Sequence, residues 1–200
     1  IDFPIAYALT AAKRAMDDAG IDPAASGERM GIILDSCGEI ESQYQFFEAL
    51  AKGPSEVEPR QFPTMLANAA ASRVAIAFGF KQVNKSIGGC FSGGESAVAC
   101  AVDFLSYNSD AIIVAGGVER GAALFIVESL SSAQKRKARI YAEVLGYEER
   151  FNLNAEPSPE GGCFCLSKAI LKFKEGKTGR LDYKGRGAWG GEVDFILGSV

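Results

Sequence analysis

A residue that could carry covalent chemistry is Cys90, which lies in the segment SIGGCFSGGES. The residues before it are typical of a short strand, those after it are typical of an apolar helix, and four glycines allow a sharp turn between them. We therefore expect the Cys90 sulfur at the first turn of a helix over 92–106, where backbone N–H groups and the helix dipole lower the pKa of a thiol. Such a thiolate is a covalent nucleophile. A buried structural cysteine fits the local spacing equally well.

No histidine occurs among the 200 residues. A Cys–His or Ser–His dyad is therefore excluded within this sequence, as are most zinc sites. The five cysteines are odd in number and have no CxxC spacing, so we expect neither a disulfide framework nor a metal site. The closest pair, Cys163 and Cys165, is interpreted as part of the core. Free cysteines are typical of a reducing compartment, and we expect a cytoplasmic protein that uses no cofactor.

The composition narrows the range of partners. Lys and Arg number 21 and Asp and Glu number 25, which gives a net charge of −4 and no basic excess to pair with nucleic acid. Hydrophobic residues make up 48% and charged residues 23%, as in a globular rather than a disordered chain. No apolar run reaches the roughly 20 residues of a membrane helix. We therefore expect no membrane partner.

Alternating strand and helix patterns predict an α/β fold with a parallel or mixed sheet. Nearly every residue of 111–116 is apolar, as in a strand covered on both faces. The predicted helices cover 5–19, 39–51, 64–78, 92–106, 129–138 and 159–174. The predicted strands cover 30–35, 82–87, 111–116, 122–128, 139–147 and 193–198.

Several segments resemble, in order, the N-terminal half of the β-ketoacyl-[acyl carrier protein] synthases. They are AYALTAAKRAMDDAGID, GERMGIILDS, PRQFPTMLANAAASRVAIAFGFK, NKSIGGCFSGGESAVACAVDFL and DAIIVAGGVE. The resemblance implies a thiolase-like fold, a layered αβαβα arrangement with mixed sheets. It divides the chain into a nucleophile-bearing half over 1–120 and a fragmentary second half over 121–200. It also implies that Cys90 takes the acyl chain as a thioester, although Phe91 is bulkier than the family's usual residue.

The second half resembles the same family in pieces. GAALFIVESLSSAQKRKARIYAEVLGY and PSPEGGCFCLSKAI match its middle segments, and AWGGEVDFILGSV resembles its glycine-rich loop and final strand. Gly190 and Gly191 are therefore expected to form the oxyanion-binding loop with the backbone of Cys90. The family's opening strand, its long stretch after GGVE and its two catalytic histidines have no counterpart. Either these residues join pieces of a longer, incompletely represented chain, or the protein is a shortened relative. The clean motif boundaries favour the first explanation.

The resemblance implies a decarboxylative Claisen condensation in fatty-acid or polyketide synthesis. The expected partners are an acyl carrier protein, acyl and malonyl thioesters, and a second subunit, either identical or a paralogous ketosynthase. The absence of histidine motivates a second hypothesis, an inactive chain-length-factor-like subunit, although such subunits typically lack the nucleophilic cysteine. A third hypothesis, a cysteine hydrolase, requires a histidine base. Glu95 is expected to complement the helix dipole, and the basic cluster 135–139 is a candidate docking patch for the carrier protein.

Overall fold

The computed structural model describes residues 3–36, 40–60, 62–88, 94–118, 121–151, 162–174, 179–186 and 191–199. Within these ranges the helices are α1 (Phe3–Asp18), α2 (Pro23–Ser26), α3 (Ile40–Lys52), α4 (Ala69–Phe78), α5 (Glu95–Tyr107), α6 (Leu130–Lys135) and α7 (Gly162–Lys174). The strands are β1 (Met30–Ser36), β2 (Asn84–Ile87), β3 (Ile112–Val118), β4 (Ala122–Glu128), β5 (Glu143–Phe151), β6 (Arg180–Arg186) and β7 (Gly191–Gly198). Short 3₁₀-helices cover Gly27–Arg29 and Pro54–Glu56. In this part of the chain, no helix is long and apolar enough to cross a membrane.

The first sheet is mixed and has the strand order β2-β1-β3-β4. β1 runs parallel to both β2 and β3, whereas β4 returns antiparallel to β3. Every residue of β1 is buried, and β3 is buried at all but one position. This burial explains the nearly continuous apolar runs MGIIL and IIVA, because central strands of a covered sheet contact apolar neighbours on both faces.

The second sheet is antiparallel and has the order β5-β7-β6. The central strand β7 alternates, with Val193, Phe195 and Leu197 buried in the core. Strand β6 follows the same period, and its Tyr183 is buried whereas Asp182 and Lys184 are exposed. The period of two places one face of this sheet against the rest of the molecule.

Two cores lie on opposite faces of the first sheet. On one face, α1 and α4 cover β1 and β3 with small and aliphatic side chains such as Ala12, Met16 and Ala71. The alanine-rich sequence of α4 allows it to approach α1 closely. On the other face, α5 and α7 lie between the two sheets and share a single core with both of them. The layers therefore alternate between helices and sheets, and α5 lies at the centre.

Most predicted elements are present, with shifted ends. The helix predicted over 64–78 begins only at Ala69, because Asn68 has a non-helical backbone conformation. The helix predicted over 129–138 ends at Lys135, and the strand predicted over 139–147 lies at Glu143–Phe151. Strand β6 was not predicted, because its sequence RLDYKGR is dominated by charged residues.

Candidate functional site

The segment predicted to carry the nucleophile joins β2 to α5. Strand β2 ends at Ile87 and α5 begins at Glu95, three residues later than predicted. Cys90 itself lies outside the described residues, and so does Gly190. The predicted roles of these two residues therefore stay predictions. The surroundings of the segment are defined by Gly94 and by the elements packed against the start of α5.

Gly94 precedes α5 in a conformation that only glycine adopts without strain. Its φ is +105°. A Cβ atom there would lie 2.4 Å from the backbone nitrogen of Gly117 and 2.7 Å from Sγ of Cys163. The Gly94 N–H donates a hydrogen bond to Oδ2 of Asp35 at 3.1 Å. The chain therefore enters α5 in close contact with β1, β3 and α7.

Asp35 lies near the carboxyl end of β1 and is only 2% exposed. It pairs in register with Gly117 of the parallel strand β3. The carboxyl ends of parallel strands are the edge at which open α/β sheets bind ligands. Asp35 and Gly94 therefore lie at the edge of the first sheet where chemistry is expected.

Glu95, the first residue of α5, is completely buried. Its Oε1 accepts a hydrogen bond of 2.7 Å from the hydroxyl of Tyr183, which also lies 3.2 Å from the carbonyl oxygen of Gly162. Among the residues that the structure describes, its Oε2 has no hydrogen-bond partner. The sequence predicted a helix-dipole role for Glu95 but not this burial. The helical spacing of the sequence could have indicated this burial. Glu95 lies three and four residues before the buried Val98 and Ala99, and therefore on the same face of α5.

Burial raises the pKa of the three ionisable groups Glu95, Tyr183 and Cys163 near the start of α5. Burial, together with the nearby Asp35 carboxylate, raises the pKa of Glu95 to about 7, against the hydrogen bond from Tyr183. Burial and the neighbouring Glu95 raise the pKa of Tyr183 above its ordinary value. Burial also raises the pKa of the Cys163 thiol, with smaller contributions from Glu95 and Asp35. Cys163 is therefore a protonated core residue, as its sequence context predicted.

The second sheet approaches the start of α5 through Gly185 of β6. A Cβ atom at Gly185 would lie 2.6 Å from Oε1 of Glu95. Gly185 pairs with Val193 of β7, and Gly191 is the first residue of that strand, opposite Phe151. Gly191 therefore lies two residues from the position that pairs with Gly185, at the same end of the second sheet. Its predicted role in an oxyanion loop stays a prediction.

The basic cluster proposed for carrier docking is partly used within the fold. Arg136 forms an ion pair with Glu128 at 2.5 Å and donates a hydrogen bond to the carbonyl oxygen of Ala19. The guanidinium of Arg139 lies 4.9 Å from the ring centre of Tyr141. Lys135 and Lys137 are exposed. The docking hypothesis therefore depends on the two lysines, whereas Arg136 has a structural role.

An apolar cavity of about 370 Å³ lies beside β4. Its walls include Val98 and Val102 of α5, Leu166 of α7 and Phe195 of β7. This cavity borders the same central helices as the Glu95 cluster, and aliphatic side chains form most of its wall.

Comparison with known proteins identifies the family. A family model described as the N-terminal domain of β-ketoacyl synthases matches residues 1–138. The chain belongs to the β-ketoacyl synthase family. The resemblance found in the sequence is therefore confirmed, and the matched range includes Cys90, Asp35 and Glu95.

Relatives within the β-ketoacyl synthase family are longer than this chain. The 3-oxoacyl-[acyl-carrier-protein] synthase 2 of Rhizobium meliloti is 26% identical over 236 residues, which cover 92% of this chain and 55% of the relative. The same enzyme of Coxiella burnetii is 23% identical and is covered to 52%. The chain thus spans about half the length of the curated relatives it matches. The first alignment is longer than the chain itself, so this relative has internal residues that the chain lacks.

Solved structures confirm the thiolase-like fold. The ishigamide ketosynthase/chain length factor matches with a TM-score of 0.73 and 16% identity, over 100% of this chain and 84% of that one. A type II polyketide synthase ketosynthase, solved in complex with its acyl-carrier protein and bound to a hexaketide, matches with a TM-score of 0.77 and 16% identity, over 98% of this chain and 84% of that one. At such identities the likeness establishes the fold alone.

Proposed function

We propose that this chain accepts an acyl group on Cys90 as a subunit of a β-ketoacyl synthase of fatty-acid or polyketide biosynthesis. The Cys90 thiolate attacks the carbonyl carbon of an acyl thioester on the carrier protein. The bond from that carbon to the carrier sulfur breaks, and the carrier thiolate leaves and takes up a proton. The product is an acyl group bound to Cys90 as a thioester.

The observation that carries this proposal is the family match over residues 1–138. The matched range contains Cys90 and also the elements β1, β2, α5 and β3. The local fold supports the match, because Gly94 and Asp35 lie at the carboxyl edge of the parallel strands, next to the start of α5. The cysteine hydrolase hypothesis has no such support.

The second step of the proposed reaction is the condensation itself. Malonyl-carrier protein loses carbon dioxide, and the resulting carbanion attacks the carbonyl carbon of the Cys90 thioester. The bond from that carbon to the Cys90 sulfur breaks, the Cys90 thiolate is released, and the β-ketoacyl product remains on the carrier protein. The family's two histidines stabilise the developing charge, and the 200 residues contain none. Removing one such donor typically costs about 10²- to 10³-fold in rate. We therefore propose that this sequence by itself is acylated readily but condenses poorly.

The acylation is tested by incubating the purified chain with an acyl-carrier protein and measuring its intact mass. We expect the mass of one acyl group to be added to the wild type and to Cys100→Ala, and none to Cys90→Ala. Cys100 is a suitable control, because it is a half-buried free cysteine on α5, the helix that follows Cys90 in the sequence. Labelling of Cys90→Ala at the wild-type level would reject Cys90 as the acceptor.

A second candidate function is a chain-length-factor-like subunit that pairs with an active ketosynthase. The absence of histidine favours it, and Cys90 argues against it. Co-expression with a histidine-containing ketosynthase separates the two candidates. The partner role is supported if the two proteins copurify, if only the pair forms β-ketoacyl product, and if Cys90→Ala leaves this activity unchanged. Loss of the pair's activity in Cys90→Ala supports the first proposal.

We further propose an acidic carrier protein as the acyl donor and a dimer as the working unit. A solved neighbour in complex with its acyl-carrier protein supports the first of these. Strand β2 forms one edge of the first sheet and is half-exposed, which makes it available for pairing with a second subunit. Reversing the charge of Lys135 and Lys137 tests carrier docking through the KM for the carrier, and light scattering tests the dimer. We also propose that the chain works in a reducing compartment and that its reaction uses no cofactor.

A further inference from the structure

The apolar cavity beside β4 has the dimensions of a single lipid chain. Its wall follows β4 from Leu124 to Glu128 and α5 from Val98 to Leu105, which are lengths of about 13 Å and about 10 Å at the rise of a strand and of a helix. An extended alkyl chain of about ten carbons has a similar length, because C–C bonds of roughly 1.5 Å advance it by about 1.3 Å each. The volume of about 370 Å³ lies in the range of small-molecule pockets.

The surface of this cavity is apolar over most of its area. Val102 of α5, Leu166 and Ile170 of α7 and Leu197 of β7 contribute to the wall. β4 is half-buried at every position, although six of its seven residues are apolar. An apolar occupant would cover this surface and remove it from water, which is favourable. β4 and β2 are opposite edges of the first sheet, so the cavity borders the edge strand farthest from the strand that leads to Cys90.

Carboxylates outnumber guanidinium groups among the described residues of the wall. The carboxylates belong to Asp18, Glu128 and Glu143, and the guanidinium groups belong to Arg136 and Arg139. Glu128 and Arg136 form an ion pair with each other. A lipid with a carboxylate head group would therefore meet an excess of negative charge, and like charges oppose binding. An uncharged head group avoids this cost.

The segment 136–142, between α6 and β5, forms the wall on the side of α1 and is called the strap. It is neither helix nor strand, and two contacts join it to the end of α1. Arg136 donates a hydrogen bond to the carbonyl oxygen of Ala19, and the hydroxyl of Tyr141 lies 2.8 and 3.0 Å from the two carboxylate oxygens of Asp18. The second contact faces solvent, where water competes for both groups, so it breaks at little cost.

The position of Asp18 supports a role for this second contact. Asp18 is the last residue of α1, where a negative charge opposes the helix dipole and does not stabilise the helix. Its carboxylate instead holds Tyr141, 123 positions away in the sequence. The contact between Tyr141 and Asp18 is therefore suited to act as a latch on the strap.

We propose that this cavity binds one free, uncharged, single-chain lipid of about ten carbons, such as a fatty alcohol. The strap opens for its entry when the contact between Tyr141 and Asp18 breaks. Binding forms no covalent bond. This inference goes beyond the proposed function, because neither Cys90 nor a carrier protein takes part in it.

Binding is tested by isothermal titration calorimetry of the full chain with 1-decanol, decanoate and decyltrimethylammonium below their micelle concentrations. We expect one site for 1-decanol and at least about tenfold weaker binding of both charged lipids. Val102→Phe fills the cavity and should weaken 1-decanol binding by at least about tenfold. Val57→Phe is the matched control, because Val57 is also half-buried but lies outside the cavity wall, and it should bind 1-decanol like the wild type.

The latch is tested by the rates of 1-decanol binding in stopped flow. Tyr141→Phe removes the hydroxyl that contacts Asp18, so association and dissociation should both become at least about threefold faster, with little change in Kd. A merely structural role for Tyr141 predicts lower stability and unchanged rates. Tyr107→Phe is the control, because Tyr107 is 93% exposed at the end of α5, and its rates should equal those of the wild type.

The proposed site is overturned if 1-decanol does not bind, if Val102→Phe binds it as tightly as the wild type, or if either charged lipid binds more tightly than 1-decanol. Should Val102→Phe fail to fold, nuclear Overhauser contacts between 1-decanol and the methyl groups of Val102 and Leu166 provide the test in the wild type, and their absence also overturns the site. Since 1-decanol donates no acyl group, a chain that is not acylated on Cys90 can still bind it. Failure of the proposed function is therefore distinguishable from failure of this inference.

Discussion

Glu95 couples the stability of the fold to pH. Its pKa is about 7 in the folded chain, compared with about 4.3 for an unperturbed glutamate. The folded state therefore binds the proton more tightly than the unfolded state does. The stability that this provides is complete below about pH 4.3 and is lost as the pH rises through about 7, with a total of about 4 kcal/mol.

We predict that Glu95→Gln removes this part of the pH dependence. From pH 4.5 to pH 8, the free energy of unfolding measured in urea should decrease less in the variant than in the wild type. The two decreases should differ by about 3 kcal/mol. Glu28→Gln serves as the control and should follow the wild type, since it removes an exposed carboxylate far from the cluster. Identical pH dependence in Glu95→Gln and the wild type would mean that the pKa of Glu95 is the same in the folded and the unfolded chain.

The residue scale is also where sequence reasoning was least complete. Cys90 could be proposed from its glycine-rich surroundings and from the family resemblance. The contact between Glu95 and Tyr183 could not, because the two residues are 88 positions apart and Tyr183 lies in a strand that the pattern did not predict. An acidic residue in the first turn of a helix usually faces solvent, where it complements the dipole. Only the packing of β6 against α5 converts it into a buried acid.

At the scale of elements, Gly94 sets the path of the chain into α5. A side chain at position 94 is disfavoured for two reasons. The positive φ is strained for any residue other than glycine, and a Cβ atom would collide with the backbone of Gly117. Gly20 offers a matched control, because its φ is +65° and no atom lies within 4 Å of its Cβ position. Gly20→Ala therefore measures the conformational cost alone, about 1 kcal/mol.

We predict that Gly94→Ala destabilises the chain by at least about 2 kcal/mol more than Gly20→Ala, because β1, β3 and α7 must move apart to admit the methyl group. Thermal and urea unfolding of both variants provide the measurement. Equal losses in the two variants would indicate that α5 can begin without the close contact between Gly94 and Gly117.

The ion pair of Arg136 with Glu128 fixes α6 against β4 and the end of α1. The Glu128 side chain is only 6% exposed, so removing its partner leaves a buried carboxylate. We predict that Arg136→Met costs about 2 kcal/mol in unfolding free energy, because a buried carboxylate loses its charged hydrogen-bond donor. Arg180→Met, which breaks an exposed pair with Asp182, should cost less than about 1 kcal/mol. Similar losses in both variants would contradict a structural role for Arg136.

Element patterns predicted this fold where burial dictates the sequence. β1 and β3 are covered on both faces, and their apolar runs identified them without ambiguity. Predictions were less accurate at the surface, where α6 is shorter and β5 begins later than its alternation indicated. β6 was missed because its outward positions are charged and Gly185 interrupts the pattern. A polar edge strand is recognised only once its partner, β7, is known.

On the scale of the whole molecule, the two predicted halves share one core. Ile33 and Ile113 of the first sheet belong to the same buried cluster as Phe195 and Leu197 of the second. β4, which follows the predicted boundary at residue 120, pairs with β3 along its full length. A shared core of this kind favours cooperative unfolding, because neither sheet retains a covered face when the other is lost.

We therefore predict a single unfolding transition for the chain. Cys163 is a suitable probe, because its thiol is buried in the second half yet lies next to Gly94 and Gly117 of the first. Pulsed alkylation of Cys163 and far-ultraviolet circular dichroism should give the same midpoint in urea. Independent halves predict two midpoints, with Cys163 reacting while the helices of the first half remain folded. Coincident midpoints would mean that the start of α5, which is bonded to Asp35 of the first sheet and to Tyr183 of the second, is lost together with both sheets.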